Sequence, residues 1–127
     1  MAKILIVDDD EQVRGMIKLI LERDGYEVEE AGDGNEAIEV YCREEFDLVV
    51  TDIVMPGKEG IETIMELRGI NPKAKIIAIS GGGRINPEDY LKWARRFGVT
   101  HTFTKPVDRT SLLEAVGELL TEESRVP

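Results

Sequence analysis

Asp8-Asp9-Asp10, Asp52, Ser80 and Lys105 are the residues whose types could do chemistry together in this sequence. Each closes or directly follows a short apolar or β-prone run. Ile4-Leu5-Ile6-Val7 precedes the acid triplet, Leu48-Val49-Val50 leads to Asp52, Lys75 to Ile79 leads to Ser80, and His101 to Thr104 leads to Lys105-Pro106. If those runs are neighbouring strands, their ends deliver acids, a hydroxyl and a cation to one edge. Two like charges about 4 Å apart repel by roughly 4 kcal/mol at an effective dielectric of about 20. Clustered carboxylates therefore need counter-charge. Lys105 supplies one, and a divalent cation would supply more. An oxygen-only ligand set without Cys or His suits Mg²⁺, with Mn²⁺ as the alternative, rather than Zn²⁺. A divalent cation, a lysine and a hydroxyl are what phosphoryl transfer uses, because the transferring group spreads negative charge over three oxygens. A carboxylate can itself be the nucleophile and form an acyl phosphate. Among the acids, Asp52 is followed by Ile53-Val54-Met55-Pro56-Gly57, a turn sequence that exposes it.

The elements that must position these residues alternate from end to end. After Ile4–Val7, the spacing of Val13, Ile17, Ile20 and Leu21 predicts one buried helix face, stopped by Gly25. Tyr26 to Ala31 reads as a second strand, and Asp33 as the N-cap of a helix carrying Ala37, Ile38 and Tyr41. A helix through Ile61, Ile64 and Leu67 follows the third strand. A helix through Tyr90, Leu91, Ala94 and Phe97, stopped by Gly98, follows the fourth. After the fifth strand, Asp108 caps a last helix with Leu112, Leu113, Val116, Leu119 and Leu120 inward. Five strand–helix units of this length predict parallel strands with right-handed crossovers. Near-continuous apolar strands agree, because both sheet faces are then buried. The expected fold is α/β: a doubly wound, flavodoxin-like (βα)5 sandwich with strand order 2-1-3-4-5. Ligands of such sheets bind beyond the carboxyl ends of the strands.

The bulk numbers narrow the function classes. A chain of 127 residues fits one domain, 1–127, with a core of about 3–120. A net charge of −10 argues against nucleic-acid binding through phosphates and against anionic lipid. Cys42 is the single cysteine, so no internal disulfide forms. The four apolar residues after Met1-Ala2-Lys3 are too few for a signal peptide, and no apolar run nears the roughly 18 residues of a membrane span. A cytoplasmic protein is expected.

Taken singly, the motifs are weak. The acid triplet could merely cap the first helix, Ser80 could be a turn residue, and Lys105 could be solvated. Asp10 is read as that cap. Gly81-Gly82-Gly83 lacks the Gly-Lys-Ser/Thr of a phosphate loop and reads as flexible loop. His101 reads as a surface or strand-edge residue. Trp93, Arg95 and Arg96 read as packing and solvated charge, or as part of a partner surface.

Together these residues resemble the receiver domains of bacterial two-component response regulators, the chemotaxis regulator among them. The resemblance rests on Ile4 to Asp10, on Asp52-Ile53-Val54-Met55-Pro56, on Gly60, on Ser80 and on Lys105-Pro106-Val107-Asp108, and it covers about Lys3 to Leu120. It implies that Asp52 is the phospho-acceptor, served by a sensor histidine kinase or phosphotransfer protein. It implies Mg²⁺ on Asp9, Asp52 and the Val54 backbone carbonyl, with Asp8 acting through water. Ser80 would meet the phosphoryl oxygens, Lys105 would be their cationic partner, and the Lys105–Pro106 bond would be cis. A downstream protein would dock on the fourth helix, fifth strand and fifth helix, a surface that could also make a phosphorylation-linked homodimer. The domain would assist its own phosphorylation and dephosphorylation without being an enzyme of another substrate. Two departures bear on switching. Thr102 stands where the family usually has Phe or Tyr, and Gly81 where it often has Ala. The response to phosphorylation is accordingly expected between Gly81 and Trp93 rather than at Thr102.

Three other functions fit less well. A phosphorylation-independent interaction module would not need the full set of Asp8, Asp9, Asp52, Ser80 and Lys105. A flavin mononucleotide binder needs a phosphate loop after strand one, where three aspartates stand. A hydrolase of the haloacid-dehalogenase style expects a second Asp at Val54.

Overall fold

The computed structural model describes residues 2–53, 60–81, 92–93, 95–99 and 101–121. Five strands, β1 (Lys3–Val7), β2 (Glu27–Ala31), β3 (Leu48–Asp52), β4 (Ile76–Ser80) and β5 (His101–Thr104), form one sheet in the order β2-β1-β3-β4-β5. Every pairing is parallel. The described helices are α1 (Glu11–Arg23), α2 (Gly34–Arg43), α3 (Gly60–Ile70) and, at the C-terminal side, α4 (Arg109–Thr121). Of the helix expected around Tyr90 to Phe97, Lys92, Trp93, Arg95 and Arg96 are described and helical, whereas Tyr90, Leu91 and Ala94 lie outside the described residues.

Strand alternation sorts the core into two layers. Leu5, Val7, Val49, Ile76 and Ala78 pack with Ala37 and Val40 of α2 and Ile64 and Leu67 of α3. Ile4, Ile6, Val50, Ile77 and Ile79 pack with Ile17 and Leu21 of α1 and Leu112, Val116 and Leu119 of α4. β1, β3 and β4 are buried on both faces, which is why they read as unbroken apolar runs.

The helix ends follow local chemistry. Asp10 Oδ1 accepts from the Gln12 and Val13 amides, Asp33 Oδ1 from Glu36, and Asp108 Oδ2 from Ser111. Each satisfies a helix N–H that has no partner within its own helix. α1 closes as its sequence predicts, with Gly25 at φ 95°. Gly25 N donates to Glu22 O and Tyr26 N to Leu21 O, the paired bonds of a left-handed C-cap. That use of the Tyr26 amide is why β2 begins at Glu27, one residue later than the apolar pattern suggests.

Candidate functional site

Register builds the site. Val7 pairs with Thr51, so Asp8 and Asp52 leave adjacent strand ends side by side. Asp52 pairs with Ile79, and Ser80 pairs with Thr104, so Ser80 and then Lys105 follow along the same edge. Lys105 Nζ donates to Asp52 Oδ2 at 2.8 Å and lies 3.1 Å from Asp8 Oδ2. Carboxylate oxygens of Asp8, Asp9 and Asp52 all fall within 4.8 Å of one another. Asp8 and Asp52 are 1% and 3% exposed, whereas Asp9 faces solvent. The Lys105–Pro106 bond is cis.

Three carboxylates against one ammonium leave two negative charges in excess. Burial by itself lowers the Lys105 pKa, but the hydrogen bond and charge of Asp52, then those of Asp8, outweigh it. The net pKa is raised, so the ammonium stays charged. An excess of two charges on hard oxygen donors, with one acid open to solvent, fits a divalent cation such as Mg²⁺. Ser80 Oγ is buried and finds no hydrogen-bond partner among the described residues. A buried hydroxyl in that state is uncommon and calls for a reason. Ser80 lies one residue along the sheet edge from Asp52, and a ligand at Asp52 would give it one.

Two glycines matter in a way that sequence reasoning missed. A Cβ on Gly81 would sit 2.2 Å from Lys105 Cβ and 2.9 Å from Lys105 N. The absent side chain is what lets the β5 end close on β4, where Lys105 N donates to Ser80 O at 2.9 Å. Gly81 is thus a close-packed part of the site's frame, not simply flexible loop. A Cβ on Gly60 would sit 2.2 Å from both Asp52 O and Ile53 Cα, so the start of α3 presses on the backbone that presents Asp52. Arg14 carries no sequence signal either: its Nη1 donates to Asp8 O at 2.8 Å and its Nε to Glu30 Oε1 at 3.0 Å. These contacts join separate elements, and no spacing within one element announces them.

Val54, Gly82 and Gly83, and most of the Gly81–Trp93 stretch, lie outside the described residues. Thr102 is partly buried, and its Oγ1 accepts from Arg95 Nη2 at 3.3 Å. His101 is partly buried on β5, with its Nε2 3.0 Å from Glu118 Oε2 of α4, in keeping with a strand-edge position. No helix among the described residues is long and apolar enough to cross a membrane.

Comparison with known proteins points the same way. The chain matches the response regulator receiver domain family over residues 4–117. It is 38% identical to the chemotaxis protein CheY of Halobacterium salinarum over 122 residues, covering 95% of this chain and 99% of that one. A CheY-like receiver domain protein from Methanospirillum hungatei superposes with a TM-score of 0.89 at 33% identity, over 98% of both chains. The response regulator TrrA of Thermotoga maritima, solved in complex with Mg²⁺–BeF, gives 0.84 at 32% identity, over 94% of this chain and 100% of that one. A family match across most of the sequence, relatives aligned nearly end to end and a shared fold support one conclusion: the chain belongs to the response regulator receiver domains, signalling modules of two-component systems rather than classical enzymes.

Proposed function

We propose that this receiver accepts a phosphoryl group on Asp52 from a phosphohistidine of a sensor kinase or phosphotransfer protein. The observation that carries the reading is the bridge from Lys105 Nζ to both Asp52 Oδ2 and Asp8 Oδ2 in a buried, acid-rich pocket. An Asp52 carboxylate oxygen attacks phosphorus and forms the acyl phosphate. The P–N bond to the donor breaks, and the donor imidazole nitrogen keeps the electron pair. Lys105, already charged and close, turns to the phosphoryl oxygens. Ser80 Oγ–H donates to one of them, which satisfies the hydroxyl that lacks a partner among the described residues.

Asp8, Asp9 and Asp52 would hold Mg²⁺ or Mn²⁺, with the Val54 carbonyl completing the protein's share. When bound, the ion neutralises charge on the transferring phosphoryl group. The solved Mg²⁺–BeF complex of TrrA, a 32% identical relative, supports this choice. Output passes to a protein partner, or to a second copy, on the surface of β5, α4 and the helix that carries Trp93. Trp93 is half exposed there, with the Arg96 guanidinium 5.3 Å from its ring centroid.

Acetyl phosphate with Mg²⁺, read by intact mass, tests the acceptor. The wild type should gain one phosphoryl mass and Asp52→Asn none. A labelled Asp52→Asn would overturn the assignment, and an unlabelled wild type would favour a phosphorylation-independent interaction module.

A further inference from the structure

Asp9 differs from the other two acids of the pocket. Asp8 and Asp52 are buried and held by Lys105. Asp9 is exposed, and its carboxylate makes no hydrogen bond or ion pair among the described residues. The backbone is thus the part of Asp9 that the fold holds, and it sets the direction in which the Cα–Cβ bond leaves the chain. The peptide joining Asp8 to Asp9 is a planar unit, so the Asp8 carbonyl oxygen and the Asp9 Cα turn together.

That carbonyl is gripped from outside the pocket. Arg14, within α1 and with a side chain 18% exposed, donates Nη1 to Asp8 O at 2.8 Å. The same guanidinium donates Nε to Glu30 Oε1 on β2 at 3.0 Å. Lys18 Nζ holds the other Glu30 oxygen at 3.3 Å. The neighbouring groups are fixed as well: Asp8 N donates to Ala31 O, and Asp10 N to Asp8 Oδ1. A rigid fork is what this position uses, since one planar cation meets a carbonyl and a carboxylate in two fixed directions.

We propose that Arg14, oriented by Glu30, is a positioning residue that aims Asp9 at the metal site. The inference rests on the reading of Asp8, Asp9 and Asp52 as an Mg²⁺ site. Charge alone predicts the opposite of positioning. A guanidinium beside the pocket repels a divalent cation, so its removal should tighten binding. Loss of an aligning partner around a metal ligand instead weakens binding, typically about 10–100-fold.

Isothermal titration with Mg²⁺ separates the two, on protein verified as folded by circular dichroism in EDTA. Arg14→Lys keeps the charge and loses the fork; Arg14→Met loses both. Positioning predicts that both variants bind Mg²⁺ about tenfold more weakly, at the lower end of that range, and that Glu30→Gln is weakened less. Tighter binding by Arg14→Met with Arg14→Lys unchanged would overturn the proposal in favour of plain electrostatics. Lower melting temperatures in EDTA with unchanged Mg²⁺ affinity would reduce Arg14 to a stabilising residue and likewise overturn it. Should the Arg14 variants fail to fold, Glu30→Asp carries the test, because it keeps the charge and draws the carboxylate back from Arg14, and wild-type affinity in that variant is the overturning result. If the wild type itself takes up no Mg²⁺, the pocket reading fails first, and the proposal with it.

Discussion

Lys105 is the residue on which the pocket's electrostatics turn. Its ammonium is the only cation seen between Asp8 and Asp52 among the described residues. Removing one member of a buried charge group leaves the others uncompensated, which costs more than the group's net worth. Lys105→Met should therefore destabilise the fold by about 3 kcal/mol in EDTA, the low end of the range for a broken buried pair, measured by urea unfolding. Mg²⁺ should restore more stability to this variant than to the wild type, because it replaces the missing counter-charge. A variant as stable as the wild type in EDTA would mean that the acids do not depend on Lys105. The pH dependence has a definite sign. A lysine pKa raised on folding stabilises below its ordinary value of 10.5 and loses that contribution as pH rises through the folded value. Tyr26, raised chiefly by burial, acts in the same direction. In EDTA the melting temperature should fall steeply above about pH 10.5, and Lys105→Met should retain a shallower decline, to which Tyr26 and Lys3, both with a pKa raised on folding, contribute. The residue types of the pocket were legible in the sequence, because each stands at the end of a strand run. That Ser80 Oγ has no hydrogen-bond partner among the described residues was not legible, since it depends on what the folded chain leaves beside the hydroxyl.

At the level of elements, strands and helix ends were readable because their causes are local. Unbroken apolar runs mark strands covered on both faces, and Asp10, Asp33 and Asp108 cap the helices they precede. Contacts between elements were not readable, and the glycines show why. Gly15 and Gly117 stand in helices with nothing outside their own helix backbone within 4 Å of where a Cβ would stand among the described residues, whereas Gly60 and Gly81 face atoms at 2.2 Å. Nothing in the spacing of the four glycines shows which pair is open and which is crowded. Alanine substitution should separate them by sign. Gly15→Ala and Gly117→Ala should stabilise by roughly 0.5–1 kcal/mol through helix propensity. Gly60→Ala and Gly81→Ala should destabilise by about 2–3 kcal/mol, as overpacking does. Gly60→Ala should be the harsher, since its Cβ meets backbone on both sides of the Asp52–Ile53 peptide, while Gly81 meets mainly the Lys105 stem. Denaturant unfolding of the four variants checks this. Stabilisation by Gly60→Ala would contradict the close packing of α3 on the β3 end.

For the whole molecule, a net charge of −10 complicates any stabilisation by a cation. Self-repulsion weakens a compact acidic fold, and ordinary salt relieves it by screening, with a Debye length near 10 Å at about 0.1 M. A rise in melting temperature with Mg²⁺ is therefore not by itself evidence of a site. The two contributions scale differently. Screening follows ionic strength and ignores which acid is present. Site binding follows the logarithm of ion concentration over its dissociation constant, and the native pocket must be intact for it. Wild type in millimolar MgCl₂ should consequently melt higher than in NaCl of matched ionic strength. Asp9→Ala keeps nearly the whole charge of the molecule but removes one of the three clustered acids. It should lose most of the Mg²⁺ increment while keeping the NaCl response. Equal increments from the two salts in the wild type would show screening alone and would remove the metal from the site's chemistry. An Mg²⁺-specific increment that survives Asp9→Ala would instead place the ion elsewhere on this acidic surface.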